Sequence, residues 1–431
     1  MEVYVPSGCV AQCELEGFCG LEAGYVTRGL GQTWMAFHTV REDAVSMGLT
    51  AAARLLERQN VGGAEVGRLE VGSESGSDRS KPLRSFLTRV LQERGGEGDV
   101  RGTDCVSACH GGAAALLNAA DWVEGRAWDG RYALVVATDS SLYPPGLARP
   151  TQGCGAVAML VGAEAPLTLD RGLDSFHSDH NYDFWMPHPE SPFPEVDGPG
   201  SKDAYLQTLE RCYRRWRAQL GAPSGGVSGK GVEYVAMHAP YNKLVRRGLA
   251  RMVAIDAEES GEDVEDMEAR AEEVYEAKGK PAEALPRIVG NMYTASVFAS
   301  LASVVIGDDW GATDEAMARK VAGQRVLCFS YGSGSTGALF SLTGARREGG
   351  RFTLETLCGR CRESALPTLE HTQRRVEKPE AFSAAMDARV AAWGAPLGAS
   401  DLGPVHGVVP IGAYYLDSRD DRGRAVYLRN T

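Results

Sequence analysis

The chain has 431 residues, a formal charge of −12, 43% hydrophobic residues and 52 glycines. That length exceeds one ordinary core, so two large units or two halves of a duplicated fold are expected. The acidic balance excludes a general nucleic-acid binder, while leaving room for a local basic pocket that takes a polyanionic ligand.

Ten cysteines without framework spacing fit a reducing, cytoplasmic setting. No apolar run approaches the roughly 20 residues that span a bilayer. A strand at residues 2–5, directly after Met1, leaves no targeting segment expected.

In chain order, a Gly-rich loop at 24–31 precedes Trp34-Met35-Ala36-Phe37. The spacing of Ala44, Val45, Met47, Ala51, Ala52 and Leu55 predicts a helix over 42–59. Val66 to Gly72 reads as a strand that places Glu74 at its exit, and a helix over 82–93 follows. The run Cys109-His110-Gly111-Gly112 and the small apolar residues after it predict a turn feeding a buried helix. Cys109 is then at the helix N-terminus, where unpaired N–H groups and the helix dipole favour the thiolate; the plain alternative is a small buried hydrophobe. Tyr132 to Ala137 is all apolar, the pattern of a centre strand covered on both faces, and ends at Thr138-Asp139.

The second half repeats the plan. Strand Tyr234 to Met237 exits at His238, Gly290 to Ser296 opens a small-residue helix, and Val326 to Phe329 is an apolar strand closing on Ser330. The interval from His238 to Asn291 is longer than that from Glu74 to Cys109, and the excess is an acidic stretch near 256–276, read as a solvated surface helix. Residues 221–231 read as a Gly/Ser-rich loop and 170–200 as mostly irregular.

In a duplicated open α/β fold, strand exits and helix N-termini converge on one crevice, so Glu74, Cys109 and His238 can meet there. A carboxylate, a thiol and an imidazole together allow covalent acyl transfer with acid/base chemistry. Each also has a structural explanation: Glu74 as the cap of a turn, His238 as a core histidine. The basic run Lys243 to Arg251 suits a phosphorylated ligand or, equally, a solvated helix face. The lone pair Cys358-x-x-Cys361 reads as a surface turn, and His177, His180 and Asp183 as hydrogen-bonding groups rather than metal ligands.

Ala108-Cys109-His110-Gly111-Gly112 resembles 3-hydroxy-3-methylglutaryl-CoA (HMG-CoA) synthase of the thiolase superfamily. The likeness extends to Gly29-Leu30-Gly31-Gln32, Arg41-Glu42-Asp43, Arg68 to Glu74, Trp128 to Val136, Ala148 to Thr151, Tyr182-Asp183-Phe184, Gly290 to Thr294 and Tyr331 to Gly334, and so spans almost the whole chain.

The resemblance implies a thiolase-like α/β fold: two pseudo-twofold-related αβαβα halves, 1–165 and 166–431, with layered mixed sheets and buried central helices. It implies condensation of acetyl-CoA with acetoacetyl-CoA in the mevalonate pathway by a homodimer, with CoA thioesters as substrates and no cofactor, metal, nucleic acid or membrane. Cys109 takes the acetyl group, Glu74 removes a methyl proton and His238 assists the acetoacetyl-CoA carbonyl. Asp139, Asp183 and Asn291 match supporting residues; Thr151, Ser201, Lys243, Arg247, Asn291 and Ser333 match CoA and substrate contacts. A carrier-protein-dependent relative for polyketide β-branching is the alternative. Ser107, His110, Leu147 and Arg247 depart from the family's usual residues. His110, if protonated beside Cys109, gives acetylation a pH dependence between roughly 5.5 and 7.5; if packed under the loop, it gives none.

Overall fold

The computed structural model describes residues 1–76, 78, 80–221, 226–347 and 349–431. The expected loop at 221–231 therefore lies in part, at 222–225, outside the described residues.

Two mixed sheets share one pairing plan. In the first, strand Val66–Gly72 runs parallel to Tyr132–Ser140, which pairs antiparallel with Cys154–Val161. Glu2–Tyr4 and Asp104–Cys105 form its edges. In the second, Tyr234–Met237 runs parallel to Arg325–Gly332, which pairs antiparallel with Thr336–Gly344, and Leu167–Ser178 closes the edge. The parallel pairs demand crossovers. One crossover carries helix Gly111–Glu124 and the other helix Ser296–Ile306. Both helices are largely buried, the second throughout. A continuous apolar core joins the sheets, from Leu69 and Val135 through Phe298 to Cys328.

Local chemistry sets the element ends. Helix Ala44–Arg58 starts after Asp43 because that carboxylate accepts from Ser46 N at 2.8 Å, while Ser46 Oγ accepts from Asp43 N at 2.8 Å, a reciprocal cap. Strand Val66–Gly72 has the predicted bounds. Strand Tyr132–Ser140 continues through Thr138 and Asp139, because both are buried and paired across to Ala156 and Gly155.

Three expectations fail on packing. Residues 167–178 form a long strand rather than an irregular stretch, held by Thr336–Gly344. The acidic stretch is not one solvated helix: helix Asn242–Ser260 takes its first part, and helix Met267–Val274 its last. Asp256 pairs with Arg217 at 3.0 Å and Glu258 with Arg214 and Arg251, each at 2.6 Å, while Glu262, Asp263, Glu265, Glu268 and Glu273 are exposed. Cys358 and Cys361 lie fully buried within helix Leu354–Leu369, not on a surface turn. Cys109 lies in the turn that feeds a buried helix, as expected, one residue before the N-cap His110.

Candidate active site

Glu74 leaves strand Val66–Gly72 and is held from behind by Asp139, at the exit of the neighbouring strand. Asp139 Oδ1 accepts from Glu74 N at 2.9 Å, Ser73 Oγ at 2.9 Å and Ser75 Oγ at 2.7 Å, and its Oδ2 accepts from Thr294 N at 3.0 Å. Thr294 belongs to the second half of the chain, so one carboxylate ties both halves to the Glu74 loop.

Cys109 sits in the turn before helix Gly111–Glu124. Ala108, with φ of 43°, lies in the left-handed region, a strain of about 1–2 kcal/mol for a residue with a Cβ. The turn is pressed from the other half by Gly332: a Cβ there would come within 2.3 Å of Ser107 O and 2.8 Å of His110 N. Only glycine permits that approach.

The thiol of Cys109 donates to Glu74 Oε1 at 3.3 Å. Burial first, then the negative charge of Asp139, pushes the Glu74 carboxyl up to about 8, with the Cys109 contact opposing. Burial, then Glu74 and Asp139, pushes the Cys109 thiol well above its ordinary range. The thiolate expected from a helix N-terminus is therefore corrected. Two enclosed carboxylates outweigh a dipole that begins two residues further on. The resting pair is a thiol hydrogen-bonded to a carboxyl group that is ionised only in a minor fraction at neutral pH and increasingly so towards pH 8.

His238 ends strand Tyr234–Met237, buried at 2% exposure. Its N–H donates to Phe329 O at 2.7 Å and its carbonyl accepts from Tyr205 OH at 2.8 Å. The backbone is thus fixed, while Nδ1 has no partner among the described residues. Burial, and then the nearby His110, lowers its pKa to about 3, so the imidazole is neutral. His110 is itself buried, with Nδ1 3.1 Å from Ser330 Oγ, and burial lowers it to about 4. The protonation expected for His110 near neutrality is accordingly corrected: it packs under the loop uncharged.

Asp183 accepts from Tyr331 OH at 2.6 Å and Gly334 N at 2.8 Å, a hydrogen-bonding role as expected. Asn291 is buried, and its Oδ1 accepts from Tyr293 N at 2.8 Å. Thr151 donates to Ala148 O at 2.7 Å in a 3-10 turn, Ser201 lies in the first turn of helix Gly198–Leu220, and Ser333 follows strand Arg325–Gly332. No hydrogen bond between described residues joins these three side chains to Glu74, Cys109 or His238.

Lys243 and Arg247, one turn apart on helix Asn242–Ser260, line an open cavity of about 710 Å3 with Arg28 and Arg246. The rest of the basic run is partly spent, with Arg246 on Glu272 and Arg251 on Glu210 and Glu258.

Tyr143 was not anticipated. It is buried with its phenol pushed up by burial and then by the charges of Cys109 and Glu74, which places it beside the reacting pair. An aromatic just past a central strand's exit, followed by Pro144-Pro145-Gly146, was the available signal.

Residues 1–166 match the family profile described as hydroxymethylglutaryl-coenzyme A synthase N terminal, and residues 167–274 and 261–430 match the C-terminal profile. The mitochondrial hydroxymethylglutaryl-CoA synthase of Sus scrofa is 37% identical over 100% of this chain and 88% of its own length. The cytoplasmic enzyme of Mus musculus is 41% identical over 79% of this chain and 70% of its own. A solved structure of MvaS in complex with 3-hydroxy-3-methylglutaryl coenzyme A superposes with a TM-score of 0.83 at 29% identity, covering 100% of this chain and 98% of that one. The Curacin pathway HMG synthase reaches a TM-score of 0.82 at 21% identity, over 99% of this chain and 98% of that one, a likeness of fold.

Proposed function

The chain belongs to the hydroxymethylglutaryl-CoA synthase family, and from that premise we propose that Glu74, Cys109 and His238 carry out its reaction. The protein is an acyltransferase of thiolase-like fold that condenses acetyl-CoA with acetoacetyl-CoA and water to HMG-CoA and CoA. The observation that carries the residue assignment is the 3.3 Å contact between Cys109 Sγ and Glu74 Oε1.

Cys109 attacks the acetyl-CoA thioester as its proton passes to Glu74; that proton leaves with the CoA sulfur. Acetyl-Cys109 and an ionised Glu74 remain. With an affinity for protons centred near pH 8, Glu74 is a stronger base than an ordinary carboxylate and takes a proton from the acetyl methyl. The enolate carbon attacks the ketone of acetoacetyl-CoA. Neutral His238 donates a hydrogen bond to that ketone oxygen as charge develops on it, and Glu74-H returns the proton to the alkoxide. Water then cleaves the Cys109 thioester, leaving the free carboxylate of HMG-CoA. Asp139 holds Glu74, and Asp183 and Asn291 fix the loops around the site. Lys243 and Arg247 take the CoA phosphates, with Thr151, Ser201 and Ser333 along the rest of the substrate.

Carrier-protein use is not favoured. The mitochondrial and cytoplasmic relatives at 37% and 41% identity are hydroxymethylglutaryl-CoA synthases, and Lys243 and Arg247 supply charge for a soluble nucleotide. We also propose two halves, 1–165 and 166–431, a cytoplasmic setting, supported by ten free cysteines, and a homodimer, supported by edge strand Asp104–Cys105 and the 77% exposed Val106 beside it. Among the described residues no helix is long and apolar enough to cross a membrane.

Intact-mass measurement after incubation with acetyl-CoA tests the nucleophile. The wild type gains one acetyl mass and Cys109→Ser gains none; an adduct on Cys105 would overturn the assignment.

A further inference from the structure

The loop at 24–31 is built more rigidly than a surface connection requires. Buried Glu16, at 3% exposure, accepts three of its backbone N–H groups: Gly24 at 2.8 Å, Val26 at 2.7 Å and Thr27 at 2.6 Å. The mechanism makes no use of this carboxylate. The far end of the loop is bolted to helix Asn242–Ser260, because Lys243 N donates to Leu30 O at 3.0 Å and Asn242 Nδ2 to Gly31 O at 2.9 Å.

Arg28 projects from this loop into the cavity that Lys243 and Arg247 line. Its guanidinium is seated: Nη2 donates to Ala23 O at 2.8 Å, and the group lies over Gly24, where a Cβ would come within 2.2 Å of Nε. Gly24 has φ of 89°, a conformation that favours glycine.

Arg28, Lys243 and Arg247 form no ion pair among the described residues, whereas Arg246 beside them is neutralised by Glu272. Of the other acidic groups lining the cavity, Glu283 accepts from Tyr275 OH and is raised to about 7 by burial, and Glu268 forms no ion pair among the described residues. Three cations on two mutually fixed elements, none of them spent on an ion pair among the described residues, suit a ligand with separated phosphates.

We propose that Arg28 is a third phosphate-reading residue, acting with Lys243 and Arg247 to select thioesters of CoA over carriers lacking the nucleotide. The inference rests on the CoA reading of this cavity. Guanidinium N–H groups not committed to Ala23 form charge-assisted hydrogen bonds to phosphate oxygens, and the Glu16-anchored loop removes the ordering cost of doing so.

Calorimetric titration of the wild type, Arg28→Ala, Arg28→Lys and Lys243→Ala with CoA and with pantetheine decides it. The wild type binds CoA more tightly than pantetheine. Arg28→Ala weakens CoA about fivefold or more with pantetheine unchanged, and Arg28→Lys falls between; in steady state the loss is in KM for acetyl-CoA rather than kcat. Equal weakening of both ligands would mean that Arg28 only supports its loop, which overturns the proposal. So would an unchanged CoA affinity in Arg28→Ala when Lys243→Ala loses it. A wild type that does not prefer CoA over pantetheine would instead overturn the CoA reading of the cavity itself.

Discussion

Around Cys109 the ionisable groups are enclosed and like-charged, whereas around Lys243 they are open to solvent with opposite charges interleaved. Glu74, Asp139 and the thiol share a space where little water screens them, so their proton affinities rise together. Lys243 and Arg247 are exposed on a helix face, and act through the field they place across a cavity. Low dielectric makes a base out of a carboxylate; solvent exposure keeps cations charged and ready for a mobile phosphate. On the proposed reading, the same chain uses burial for chemistry and exposure for capture.

The sharpest way to break this contrast is to remove the buried base. Glu74→Gln is expected to slow both acetylation of Cys109 and condensation, each by at least about 100-fold, because Glu74 accepts the proton in both steps and a lost general base costs on that scale, as read by single-turnover assays of each step. The same substitution reports the cost of enclosure. Folding raises the Glu74 pKa from 4.5 to about 8, so its protonation favours the folded state, and that stability is present below pH 4.5 and lost as pH rises towards 8. The Tm advantage of Glu74→Gln over wild type should therefore grow across that window; a constant difference would show that Glu74 is not enclosed as described.

On the open side, effects are smaller. Lys243→Ala or Arg247→Ala is expected to raise KM for acetyl-CoA about threefold to tenfold and leave kcat nearly unchanged, because phosphate contacts are alike in ground and transition states. Added salt should shrink the gap from wild type. A fall in kcat at constant KM would mean that these cations act on the reacting centre.

The smallest expected effect is none. His110 is lowered to about 4, so His110→Tyr and wild type should show superimposable acetylation profiles between roughly pH 5.5 and 7.5. A wild-type inflection that the variant lacks would place a charge inside the enclosed region.

Much of this was legible in the residues. Apolar runs marked strands Val66–Gly72 and Tyr234–Met237 with their polar exits, and the glycines soon after Glu74 and Cys109 marked tight turns. The likeness to a known family pointed to the same three side chains. The basic run beside His238 was visible as charge, but not which members were free, since Glu272, Glu210 and Glu258 come from elsewhere in the chain. Cys358 and Cys361 show the same limit: a spacing that suits a turn is also one helical turn, and only the core decides between them.

By itself, then, the sequence determined the order of elements, the internal repeat and which polar groups were candidates for the site, because periodicity and turn chemistry are local properties of the chain. Only the tertiary structure decided their protonation and pairing. Asp139 reaches Thr294 from the other half, Glu16 organises the loop that seats Arg28, and Cys109 stays a thiol. Each of these depends on groups far apart in the chain and on how much water packing leaves between them, which no local pattern records.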